Sequence, residues 1–146
     1  MTTKTLLYDT ATGQLTAGDA TPAARATATV TTASLANNAS ETGTISMAKG
    51  YRVLHIVTDR ACRVQLYGNA ASRTSDASRT WGTDPTEGIQ VPLDYRTAGA
   101  VDEDLNWPTD GYNTEASPST AIPYRITNLS GSTHTVTVTL TYQQTE

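Results

Sequence analysis

Two histidines, one cysteine and a run of carboxylates are the residues of this chain with the most chemistry to offer. Nucleophilic catalysis needs a nucleophile held by a base that a third group orients. His55 and His134 both fall in strand-like runs, and no G-x-S-x-G turn accompanies them, so structural roles are expected for both. Cys62 shares a strand face with Val64 and Leu66, the setting of a buried, inert thiol. A single cysteine also excludes a disulfide framework within the chain and any multi-cysteine metal site. No catalytic residue is assigned, and a non-enzymatic protein is expected.

Asp102, Glu103 and Asp104, with Asn106, Asp110 and Asn113 nearby, offer hard oxygen ligands of the kind calcium takes. Their spacing matches no EF-hand loop, and the expectation is a solvated acidic loop without metal. Phosphate-binding glycine motifs and zinc spacings are missing, so no cofactor is expected. The same carboxylates could be drawn as a glycosidase pair, but spacing alone does not support that chemistry. Trp81, Trp107, Tyr95 and Tyr112 fall in or beside apparent loops, where aromatics stack on sugars or anchor protein interfaces. With no Phe in the chain, Trp and Tyr must share core work, so interface or core duty is expected over sugar binding.

These side chains need a scaffold, and composition indicates which. The 146 residues suit one domain, or one domain with an arm. Charged residues are 16%, below the usual quarter, while threonine fills 29 positions and lysine two. Threonine is β-branched, favouring pleated half-exposed surfaces over helices. Only 23 residues are Leu, Ile or Val, so a β protein with a small core and a hydroxyl-covered surface is expected. A net charge of −4 excludes a generally basic nucleic-acid binder. Apolar runs are too short for a membrane-crossing helix, and residues 1–10 are too polar for a signal peptide.

The strand signals are strong. HTVTVTLTY, residues 134–142, alternates strictly, with Val136, Val138, Leu140 and Tyr142 on one face. AIPYRITNL, residues 121–129, aligns Ile122, Tyr124 and Ile126, and the intervening Ser130-Gly131-Ser132 predicts a hairpin between the two runs. Pro123 cannot donate to a ladder and is expected at a sheet edge or bulge. YRVLHIVTD and CRVQLYG, residues 51–59 and 62–68, predict a second pair. Residues 44–47 and 89–95 add shorter strands, the latter interrupted by Pro92.

A short helix is expected over residues 69–79, with Asn69 as N-cap and Gly82 as stop. Arg60, Arg63, Arg73 and Arg79 flank it and should be solvated or ion-paired. Residues 99–120 predict a long loop. Residues 5–9 and 14–16 bracket a plausible hairpin, and an Ala/Thr-rich stretch follows it. The expected organisation is an N-terminal arm over residues 1–33 and a β-sandwich over residues 34–146. The arm would dock on another chain through Leu6, Leu7, Tyr8 and Leu15, and Trp81, Trp107 and Tyr112 would contribute further contacts.

The segments LLYDTATGQL, YRVLHIVTDRACRVQLYGNAASRTSDASR and PSTAIPYRITNLSGSTHTVTVTLTY span nearly half the chain and resemble small β-sandwich virion proteins of tailed bacteriophages. That resemblance implies a jelly-roll-like antiparallel sandwich with no catalytic residues, located in the virion. It implies a capsid decoration, or cement, protein that binds the major capsid protein or another virion protein, often as a trimer. The alternative it implies is a tail- or fibre-associated domain that binds a host receptor or glycan.

Overall fold

The computed structural model describes residues 23–146, together with the strand pairing of residues 4–9 and 14–19. Two strands, β1 (Lys4–Asp9) and β2 (Gln14–Asp19), pair antiparallel as a sheet of their own, in the region where the sequence predicts a hairpin. The eight that follow are β3 (Arg25–Thr31), β4 (Ser40–Ser46), β5 (Gly50–Thr58), β6 (Cys62–Leu66), β7 (Leu93–Arg96), β8 (Val101–Tyr112), β9 (Ala121–Asn128) and β10 (Thr137–Gln144). They form two antiparallel four-stranded sheets, ordered β3-β10-β5-β8 and β4-β9-β6-β7. The chain is therefore all-β, with one short helix, α1 (Ala70–Ser75).

Period-two alternation explains the core, with one break on β5 where the register shifts between Val53 and His55. Val138, Leu140 and Tyr142 of β10 and Val53 and Ile56 of β5 are buried from the first sheet. Ile122, Tyr124 and Ile126 of β9, with Cys62, Val64 and Leu66 of β6, are buried from the second. All belong to a single apolar cluster. The opposite face of the first sheet carries the threonines. Thr29 and Thr31 of β3 share hydroxyl hydrogen bonds with Thr139 (2.8 Å) and Thr137 (3.0 Å) of β10.

Several expectations are corrected by this topology. Residues 121–129 and 134–142 do not pair with each other: β9 joins β4 and β6, whereas β10 joins β3 and β5. The same holds for β5 and β6, which lie in different sheets. Alternation fixes which face turns inward, and two inward faces from adjacent runs cover one core better from opposite sides than edge to edge. The Ala/Thr stretch is β3, ordered by β10 of its own chain, so the sandwich begins at Arg25 and not at residue 34. Residues 101–112 form strand β8 within the expected long loop. Pro123 lies inside central strand β9, where its carbonyl accepts from Tyr67 N–H just past the end of β6. In an antiparallel strand a residue's N and O point to the same side, so the missing donor falls where the ladder has already stopped.

Asn69 does cap α1, its side-chain oxygen accepting from Ser72 N–H at 2.7 Å. The helix ends earlier than expected, at Asp76, and Gly82 instead occupies a left-handed turn (φ 81°).

Candidate functional site

On β6, Arg63 and Gln65 should face water by alternation, yet both are buried. The segment after β6 folds back over this face and brings its own counter-charges. Arg63 grips Asp94 with two hydrogen bonds of 2.8 and 2.7 Å. Arg79 binds both Asp76, at 2.6 Å, and Asp94, at 2.6 Å. Gln65 and the Tyr67 hydroxyl also donate to Asp76, at 3.1 and 3.0 Å. Arg125 donates to the carbonyls of Asp76 and Arg73. Burial pushes the Asp94 carboxyl up, but the hydrogen bonds from Arg63 and Arg79 outweigh it and hold the group below the ordinary carboxylate value. The Asp76 hydrogen bond raises Arg79 despite its burial. Burial likewise raises the Tyr67 phenol. Each carboxylate is matched by guanidinium donors, so the cluster is a fastener that ties α1 and β7 to the sheet. Of the four arginines flagged from sequence, Arg60, Arg63 and Arg79 are ion-paired, and Arg73 donates to the Gly43 carbonyl.

The two histidines are not brought together as a pair. His134 bridges Leu35 through the backbone. His55 sits on β5 between two carboxylates of β8, with Nε2 2.9 Å from Asp102 and Nδ1 2.9 Å from Asp104. Only the imidazolium can donate from both nitrogens, so this pincer favours the charged ring. The Asp104 hydrogen bond leads the upward shift of its pKa. Cys62 is wholly buried, and burial pushes its thiol up. Among the described residues no group of three His, Cys, Asp or Glu side chains could hold a metal ion. No helix of the described residues is long and apolar enough to cross a membrane.

The exposed aromatics occupy three separate depressions that meet along residues 91–94. Trp107 lines an open groove of about 740 Å³ between β7 and β8. Tyr112 lines a smaller one of about 280 Å³ beside Gly68 and Gln90. Trp81 lines a third, also about 280 Å³, its ring 5.6 Å from the Arg63 guanidinium. All three are exposed, Trp107 at 87% the most, whereas Tyr95 is half-buried against the core. The side chains of Leu6, Leu7, Tyr8 and Leu15 lie outside the described residues.

No protein-family model, curated protein or solved structure matches this chain. Sequence reasoning missed the buried Asp76 and the half-buried Asp94 as partners of this cluster. The available signal was the Arg/Asp spacing at residues 73, 76 and 79 directly after a capped turn, opposite an arginine on a strand.

Proposed function

We propose that this chain is a non-enzymatic structural subunit of a tailed-phage particle, a capsid decoration protein that braces the head, built as a jelly roll. The strand order supports the jelly-roll reading: strands adjacent in sequence alternate between sheets from β3 to β6 and again from β7 to β10. That interleaving is expected of two Greek keys folded together, an architecture used in viral capsid and lectin domains. The observation that carries the structural role is the threonine face of β3 and β10. Its hydroxyls are already cross-bonded, so docking against a repeated neighbour would cost little further side-chain entropy. The occupant of that face would be the major capsid protein or a second copy of this chain, as in a homo-oligomer.

The test is the ratio of this chain to major capsid protein in purified particles, measured by quantitative protein analysis. A ratio near unity supports decoration, because each lattice position offers an equivalent docking surface. A few copies per particle would sink it and leave the second reading, a tail- or fibre-associated domain that binds a host receptor or glycan. The exposure of Trp81, Trp107 and Tyr112 favours that second reading.

A further inference from the structure

Strand β8 gives up its ladder in the middle. Val53 pairs with Thr109 and His55 with Asp104, so residues 105–108 stand opposite Leu54 alone. Bulges at sheet edges re-aim side chains at the cost of strand pairing. Here the outcome is Trp107, which projects into solvent at 87% exposure. Its backbone is braced: Pro108 restricts the preceding residue to extended conformations, and the Thr109 hydroxyl donates to the Trp107 carbonyl at 3.3 Å. A large indole left in water is unfavourable unless something covers it.

The groove beneath it, about 740 Å³, has the size of a small-ligand site. Trp107, Asn106 and Glu103 stand on one wall, with Pro92 and Tyr95 on the other. Asp94 and Asp104 also border it but are engaged by Arg63, Arg79 and His55, which leaves Glu103 and Asn106 to meet a ligand. We propose that this groove binds a neutral carbohydrate chain. The apolar face of a pyranose packs on the Trp107 ring. The Glu103 carboxylate accepts from vicinal hydroxyls, and the Asn106 amide both donates and accepts. A quaternary ammonium would call for a cage of several rings, and this groove has one exposed ring. An added β-strand would meet the bulge and Pro108, which has no N–H to offer.

The inference concerns the isolated chain and stands whether the protein sits on a head or a tail, so its test is separate from the particle count. The labelled full-length chain is applied to an array of neutral and acidic glycans, and the strongest neutral glycan is then titrated by isothermal calorimetry. Trp107→Ala should weaken that binding at least about tenfold. Glu103→Gln and Asn106→Ala should also weaken it, while Trp81→Ala leaves it unchanged. Circular dichroism of each variant separates lost binding from lost folding. The proposal is overturned if no neutral glycan binds, if Trp107→Ala binds as well as the parent chain, or if tetramethylammonium or an oligolysine peptide binds in preference.

Discussion

Asp76 and Arg79, three positions apart, close a two-pronged ion pair of 2.6 and 3.0 Å with side chains only 1% and 9% exposed. Charges so deep in a protein are tolerated only when every partner is present. Gln65 and Tyr67 direct their donors at the same carboxylate, so its loss would strand two buried donors and leave Arg79 ion-paired with Asp94 alone.

Asp76→Ala should therefore destabilise the fold by about 2–6 kcal/mol, about 1–3 for each of the two buried donors left without an acceptor. Asp76→Asn keeps the shape and some of the hydrogen bonds and should cost less. Urea unfolding followed by circular dichroism gives both values. Equal stability of Asp76→Ala and the parent chain would contradict the fastener role.

Tyr51 lies across Gly111, its register partner on β8, and is wholly buried. A Cβ at residue 111 would overlap the Tyr51 ring and hydroxyl. Gly111→Ala should cost about 1–3 kcal/mol through overpacking. The Tyr51 hydroxyl has no hydrogen-bond partner among the described residues. Tyr51→Phe should leave stability unchanged or raise it, because no buried bond is broken. The thermal melt should fall for Gly111→Ala and hold or rise for Tyr51→Phe.

The His55 pincer predicts a histidine titrating above its ordinary value of 6.5, observable by NMR. Because the folded value is the higher one, the pincer's contribution to stability is fully present below about 6.5 and fades as pH rises through the folded value. Asp104→Asn should lower the midpoint more than Asp102→Asn, since the Asp104 hydrogen bond is the leading cause. An unmoved midpoint in both variants would dismiss the pincer.

Cys62 should resist a thiol reagent at neutral pH until the chain is unfolded, because burial disfavours the thiolate that reacts. The reaction rate with and without denaturant, read by absorbance, checks this. Rapid modification of the native chain would place the thiol outside the core.

Much of the scaffold was legible because strand alternation and helix capping are local. The 134–142 run announced which of its residues turn inward, and Asn69 announced α1. What alternation does not encode is the identity of the neighbouring strand, so β9 and β10 read as a hairpin although they lie in different sheets. Strand β8 was hidden for another reason. An edge strand buries only a few residues, and its carboxylates and Pro108 read as loop although Asp102, Asp104 and Asp110 are paired across to β5 by His55 and Arg52. The buried polar face of β6 was illegible because an arginine's burial depends on partners 16 and 31 positions away. Trp107 was visible as a candidate, but the bulge that displays it emerges only from the register with β5.

Strand β10 sits between β3 and β5, and Thr29 meets Thr139 at a sequence separation of 110. Until β10 is available, neither neighbour has its full ladder, and closing so long a loop is an entropic cost that local contacts cannot offset early. Folding should accordingly be slow, in the millisecond-to-second range of all-β topologies. During synthesis the first sheet must wait on the ribosome for β10 to emerge. A chain terminated before residue 137 would leave β3 and β5 as open edges, a substrate for chaperones and proteases rather than a smaller version of the same domain.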